Sequence, residues 1–374
     1  MPALLSNVDP DGLLEYSVVY TDRALNHMSA KFQGVMKDIS GALKTVYRAD
    51  AVAIVPGSGT FAMEAVARQI AANKKCLVLR NGWFSYRWSQ ILDRGAIASD
   101  VRVLKAAPTS SADQAPFAPA AIETVVETIQ QKKPDIVFAP HVETSAGIIM
   151  PDAYLKAVAD AAHSVGALFV LDCIASGAIW VDMRETGVDV LISAPQKGWS
   201  ASPCCGLVMM NETARDRVKN TQSDSFACDL KQWLEIMEKY ESGAHAYHAT
   251  MPTDGLTVFR DTLFEIERFG FKNAKESQQE LGARVRSLLA DKGFSSVAAA
   301  GFEAPGVVVS YTDDARVQNG SAFAEAGLQI AAGVPLQCDE SASFTTFRIG
   351  LFGLDKLADI ERTVASLAAA LERV

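Results

Sequence analysis

From about residue 50 the chain alternates short apolar runs with amphipathic stretches, and this alternation limits the possible folds more than any other feature. The runs AVAIVPG (51–57), CLVLRN (76–81), DIVFAP (135–140), ALFVLD (167–172), VDVLISA (188–194) and CGLVMMN (205–211) read as strands. Most lack a clean polar–apolar alternation, as strands covered on both faces should. Between them, FAMEAVARQIAA (61–72) and DAYLKAVADAAHSVG (152–166) carry apolar residues at helical spacing. Strand, helix, strand repeated in this way predicts an α/β layer around a mainly parallel sheet.

The rhythm changes after about residue 260. LFEIERFGFKNAKESQQELGARVRSLLADKG (263–293) reads as a long helical segment, followed by the strand-like runs SSVAAA, GVVVSY and FTTFRIG. LDKLADIERTVASLAAALERV (354–374) closes the chain as an amphipathic helix. A chain of 374 residues, 49% of them hydrophobic, exceeds what one core usually needs, so a large domain with a smaller α/β domain is expected.

Bulk charge excludes some partners. A formal net charge of -9 and a pI near 5.2 argue against nucleic acid or an anionic membrane held by general electrostatics. The start, MPALLSNVDPDG, has no basic stretch followed by an apolar one, and apolar runs such as ALFVL are too short to cross a bilayer. Six cysteines, at 76, 173, 204, 205, 228 and 338, show no metal-type pairing. A cytoplasmic enzyme with reduced thiols is the expectation.

One lysine, Lys197, stands in ISAPQKGWSASPCCG (192–206) among small, apolar and turn-forming residues. Asp172 ends the run ALFVLD, and acids at the carboxyl ends of parallel strands face the crevice where ligands bind. The two could form a plain ion pair, or both could face a cofactor lying between them. A desolvated lysine suits a Schiff base, and an aspartate opposite a pyridine nitrogen keeps that nitrogen protonated. Together they describe pyridoxal phosphate (PLP). Its phosphate needs an anion site, and IVPGSGTFAMEA supplies a strand, a Pro-Gly-Ser-Gly-Thr turn and a helix start, with the Ser58 and Thr60 hydroxyls beside free N–H groups. Glycine-rich turns also arise for steric reasons alone, so this one gains weight from sharing a sheet with Asp172 and Lys197. RNGWFSYRW (80–88) offers aromatic rings that serve either a core or a planar cofactor. Arg348, in FTTFRIGLFG, is a cation in an apolar strand, suited to a structural ion pair or to a substrate carboxylate.

GSGTFAMEA (57–65), the NG-W-F of 81–84, HVETSAGI (141–148), VLDCIASGA (170–178), SAPQKG (193–198), YHATMP (247–252) and FRIGLFG (347–353) keep order and spacing over nearly the whole chain. In this the chain resembles the class V aminotransferases, a fold-type I PLP-dependent group that includes alanine–glyoxylate and serine–glyoxylate aminotransferases. The resemblance implies a mainly parallel seven-stranded sheet in a large PLP-binding domain (26–260), an N-terminal arm lining the substrate site (1–25) and a small C-terminal domain (261–374). It implies that Lys197 forms the Schiff base, Asp172 pairs with the pyridinium, and Ser58, Gly59, Thr60 and Gln196 bind the phosphate. Phe84 aligns with the ring that stacks on the cofactor, with Trp83 as the neighbouring choice, and Thr144 with the hydroxyl near its phenolic oxygen. Tyr247 and Thr250 match residues that reach the phosphate of the other subunit, which implies a homodimer, and Arg348 would hold the substrate carboxylate.

Two departures bear on specificity. LLEYSVVYTDRALNH (13–27) stands where members acting on glyoxylate often carry a Pro-Gly-Pro loop, so Glu15, Tyr16, Tyr20 and His27 are candidate substrate-site residues. Cys173 follows the aspartate where a small or hydroxyl residue is usual. The expected reaction moves an amino group from a small amino acid (alanine, serine or aspartate) to a small 2-oxo acid such as glyoxylate or pyruvate, by a ping-pong mechanism. A cysteine desulfurase or β-lyase is the alternative on the same cofactor; it would need a mobile-loop thiol, for which Cys338 is the candidate, and usually a histidine where Gln196 stands. A more distant alternative is a non-catalytic protein of this fold, or another phosphate-binding α/β protein.

Overall fold

The protein was analysed as a computed structural model that describes residues 13–374, so the first twelve residues of the arm expected at 1–25 lie outside the described residues. The described residues form a seven-stranded sheet from β1 (Ala51–Pro56), β2 (Lys75–Arg80), β3 (Asp100–Lys105), β4 (Ile136–Pro140), β5 (Leu168–Asp172), β6 (Val190–Ser193) and β7 (Cys205–Met210), in the spatial order β1-β7-β6-β5-β4-β2-β3. All neighbouring pairs are parallel except those of β7, which runs antiparallel to both β1 and β6. The mainly parallel seven-stranded sheet is therefore present.

The six apolar runs each contain a strand, and their near-continuous burial explains why they read so clearly. The seventh, β3, was not evident in the sequence. DVRVLK lies at the sheet edge, where half-exposed positions admit Asp100, Arg102 and Lys105. Helix α1 (Ala30–Tyr47), capped by the Ser29 hydroxyl accepting from the Phe32 N–H, precedes the sheet; α2 (Gly59–Ile70) follows β1, α3 (Trp83–Arg94) follows β2, and α4 (Asp152–Ser164) lies between β4 and β5.

Three expectations for the C-terminal part need correction. The segment 263–293 is two helices, α5 (Thr253–Phe269) and α6 (Phe271–Asp291), broken at Gly270, whose φ of 96° is a left-handed value that glycine adopts without strain. SSVAAA forms no continuous strand and makes only isolated bridges, Phe117 to Ala298 and Ser296 to Ser310. The closing segment is a short helical turn at Leu354–Leu357 followed by α7 (Ile360–Leu371), which is capped by Asp359. GVVVSY and FTTFRIG do form strands, β8 (Val307–Tyr311) and β10 (Thr346–Gly350), which pair antiparallel and are joined by the two-residue β9 (Ala331–Ala332).

The sheet aligns the chemistry. In the parallel register Asp172 lies level with Ile192, so the end of β5 and the turn after β6 open on one edge. The turns after β1, β2 and β4 reach the same edge, and Cys205 of the reversed strand pairs with Pro56 there. The turn after β6 is firmly anchored. Trp199 is 1% exposed, donates its indole N–H to the Ser193 hydroxyl at 3.3 Å and lies 4.6 Å from the Trp180 ring. A Cβ on Gly198 would meet the Gly177 carbonyl oxygen at 2.0 Å, so only glycine fits there. The Ser200 hydroxyl accepts from the Leu354 N–H at 2.7 Å, tying the same turn to the C-terminal segment.

Candidate active site

Lys197 and Asp172 are not an ion pair. No hydrogen bond or salt bridge among the described residues takes the Lys197 ammonium, which stands 5.1 Å from the centre of the Phe352 ring. Burial, then the neighbouring Arg348 and Arg87 charges, lower its pKa, while Asp172 acts in the opposite sense. Asp172 is 8% exposed, and one of its carboxylate oxygens accepts from the Ile174 N–H at 2.9 Å. Burial raises its pKa to about 7, against the lowering effect of that bond and of the Arg87 and Lys197 charges. The two groups influence each other's charge without a hydrogen bond or salt bridge between them, and a cationic partner would return the Asp172 carboxylate to its charged form.

The start of α2 is open to an anion. Ser58 is its N-cap residue, yet the hydroxyl makes no capping bond, no acid lies in the first turn, and the N–H groups of the first turn have no intrahelical acceptor. Gly59 is buried where a Cβ would approach Ile174 Cδ1 to 2.5 Å and Ala194 Cβ to 3.4 Å, so the helix start packs directly on the turns after β5 and β6. Gln196 carries a buried amide oxygen with no partner, and a half-turn of that amide presents its N–H₂ instead. Thr144 is buried, and its hydroxyl makes no hydrogen bond among the described residues.

On the other side, α3 begins after Gly82 and is held by Glu143. That fully buried carboxylate accepts from the N–H groups of Phe84, Ser85 and Ser145 and from the Ser85 and Ser145 hydroxyls, at 2.7–3.2 Å. A Cβ on Gly82 would lie 2.1 Å from the Ser145 hydroxyl, so glycine is required at this corner. The two aromatic candidates at the helix start have different surroundings. The guanidinium carbons of Arg87 and Arg348 each lie 5.5 Å from the centre of the Phe84 ring, whereas Trp83 turns toward Tyr86 at 6.0 Å. Arg348 donates to the Ala332 carbonyl at 2.8 Å and has no carboxylate partner among the described residues; burial lowers its pKa.

These features fit PLP on this structure's own terms. A dianion is matched by an uncapped helix start, a pyridinium by a desolvated acid, an aldehyde by a buried amine whose pKa is lowered, and a carboxylate by a guanidinium with no acidic partner. The residues that would hold the group are Ser58, Gly59, Thr60, Phe84, Thr144, Asp172, Gln196 and Lys197.

Other expected residues lie elsewhere within one chain. Tyr247 is 54% exposed, and its hydroxyl lies 3.2 Å from that of Thr250. The Tyr247 ring packs on His27 at 5.5 Å, His27 packs on Tyr20 at 5.8 Å, and the Tyr20 hydroxyl donates to the Met251 carbonyl. Glu15 accepts from Asn26, and Tyr16 is 89% exposed. Among the described residues no hydrogen bond, ion pair or ring contact joins Tyr16 or Tyr20 to Lys197, Asp172 or Arg348. Cys173 is buried as a space-filling thiol, with a pKa raised by burial. Cys338 is 4% exposed, donates toward the Arg80 carbonyl at 3.4 Å and has its pKa pushed up to about 12 by burial, the opposite of a mobile nucleophilic thiol. Glu143, Arg87 and Phe352 went unrecognised in the sequence. The available signal for Arg87 was its i, i+3 spacing from Phe84 on one helical face.

The family model described as Aminotransferase class-V matches residues 13–345. Among curated relatives, a 2-aminoethylphosphonate–pyruvate transaminase of Paraburkholderia xenovorans is 30% identical over 94% of this chain and 90% of its own length. The rat alanine–glyoxylate aminotransferase is 27% identical over 72% of this chain, and that match spans only 64% of the rat enzyme. Among solved structures, an alanine–glyoxylate aminotransferase from Nostoc superposes with a TM-score of 0.78 at 22% identity, covering 92% of this chain and 88% of that one.

Proposed function

We propose that this chain, which belongs to the class V aminotransferases, transfers an amino group from alanine, serine or aspartate to glyoxylate or pyruvate by a ping-pong route. The family's cofactor, PLP, when bound supplies an electron sink for the pair left at the substrate's α-carbon. The observation that carries the reading is the unpaired Lys197 beside the desolvated Asp172 on one sheet edge.

Each residue then has a distinct task. Lys197 would hold the cofactor through its aldehyde and, once released, its amine would serve as the general base and acid for the proton at the substrate's α-carbon. Burial and the Arg348 charge lower its pKa, which favours the neutral amine that this role needs. With PLP in place, Asp172 would pair with the ring nitrogen, the Phe84 ring would lie against the cofactor, and Arg348 would orient the substrate through its carboxylate. Thr144 is placed to donate to the phenolic oxygen.

The homodimer with shared sites is supported by where the remaining residues stand. Tyr247 and Thr250 are exposed, as is Phe226, which packs on His248, and Leu13, Leu14, Tyr16 and Val18 present apolar surface nearby in sequence to Tyr20. A second copy would cover them, and through it Tyr16 and Tyr20 would line a substrate site. Six unpaired cysteines support a reducing, cytoplasmic setting. The change of architecture near residue 260 supports the division into a large and a small domain.

A half-reaction tests the whole. Purified holoenzyme mixed with single amino acids should lose the absorbance of the lysine-linked aldehyde and recover it on adding glyoxylate or pyruvate; Lys197→Ala should do neither. Turnover of one substrate with no oxo-acid requirement, or sulfide release from cysteine, would refute the proposal.

A further inference from the structure

The Arg87 guanidinium is half-buried on α3, one helical turn from Phe84. It donates to the Thr60 hydroxyl oxygen at 3.0 Å and lies 5.5 Å from the Phe84 ring centre. No carboxylate pairs with it among the described residues, although acidic residues outnumber basic ones in the chain by 44 to 35. A half-buried guanidinium with no carboxylate in contact, at the uncapped start of α2, is costly unless an anion joins it.

The charge requirement points the same way. A phosphate dianion at α2 would meet roughly half a positive charge from the helix dipole and neutral hydroxyls from Ser58 and Thr60. Lys197 is committed to the aldehyde end of the cofactor. Because Thr60 accepts from Arg87, its own hydroxyl proton stays free to donate toward the anion.

We propose that Arg87 is a phosphate-binding residue of this site, closing the anion cradle of Ser58, Gly59 and Thr60 from the α3 side and coupling it to the ring-covering Phe84. This rests on the PLP reading above. Arg87 thereby carries the full positive charge of the phosphate subsite within the chain, and its fork leaves several N–H groups for the anion after Thr60 is served.

The test compares two probes that differ only in the phosphate. Dissociation constants of PLP and of pyridoxal are measured by absorbance and fluorescence on cofactor-stripped wild type, Arg87→Ala and Arg87→Lys, with circular dichroism as a check on folding. Arg87→Ala should weaken PLP by about 10–100-fold and pyridoxal by less than about threefold, with Arg87→Lys in between. Equal losses for both probes, or no loss for PLP, overturn the proposal in favour of a bracing role. If Arg87→Ala does not fold, the same contrast is read from Arg87→Lys. Wild type that binds PLP no better than Lys197→Ala does would instead sink the PLP reading itself, so the two failures are distinguishable.

Discussion

Asp172→Asn should stabilise the cofactor-free protein at alkaline pH while weakening its hold on PLP. The magnitude follows from the burial of the carboxyl group. Its pKa rises from an ordinary 3.8 to about 7, which at about 1.4 kcal/mol per pH unit makes the ionised, cofactor-free form about 4 kcal/mol costlier than an exposed aspartate. Below pH 4 the acid is protonated in both folded and unfolded chains and costs nothing. Between about pH 4 and 7 the unfolded chain releases the proton and the folded chain keeps it, so stability falls as pH rises. Above pH 7 the full penalty stands. Asparagine keeps an oxygen for the Ile174 N–H and carries no charge, so it escapes this loss. Over 374 residues, an unfolding entropy of about 2.1 cal/mol/K per residue turns 4 kcal/mol into a rise in Tm of about 5 °C. Thermal melts of stripped wild type and Asp172→Asn at pH 4.5 and 8.5 provide the assay; other titrating groups cancel in the difference. The gap should open with rising pH, and added PLP should reverse the ranking because wild type alone offers a charged partner to the pyridinium. A gap that is absent at pH 8.5, or that is the same at both pH values, would refute the desolvation argument.

Two further outcomes follow from the same geometry. Arg348→Gln removes the unpaired guanidinium but leaves the Ala332 carbonyl near solvent-accessible surface, so KM for amino and oxo acids should rise about 10–100-fold while PLP affinity changes little; steady-state kinetics alongside PLP titration separates the two. Gly198→Ala drives a methyl group into the Gly177 backbone carbonyl, where neither partner is a flexible side chain, and should cost more than about 2 kcal/mol in denaturant unfolding and displace the lysine turn. An alanine variant as stable as wild type would mean that this turn is looser than its contacts imply.

What the sequence made legible depended on burial and on locality. β1, β4, β5 and β7 are enclosed on both faces, so their apolar runs stood out, while β3 borders solvent and was masked by its own charges. Lys197 and Asp172 could be singled out because each is a charge where its neighbours forbid one. Glu143 violates the same rule, yet it lies in a quoted segment without attracting notice, because its justification is remote: it satisfies the start of α3, 58 residues away along the chain from Ser85. The surroundings of Trp83 and Phe84 were equally invisible to local reasoning. At the helix start that Glu143 holds, the Phe84 ring lies near two guanidiniums and the Trp83 ring near Tyr86. Arg87 escaped for a related reason. An arginine on an amphipathic helix is ordinarily a solvated charge, and only the folded structure shows this one bonded to the Thr60 hydroxyl with no carboxylate in contact. The site is thus written twice: once as single misplaced charges that a linear reading can find, and again as pairings between distant turns that only the folded sheet edge brings together.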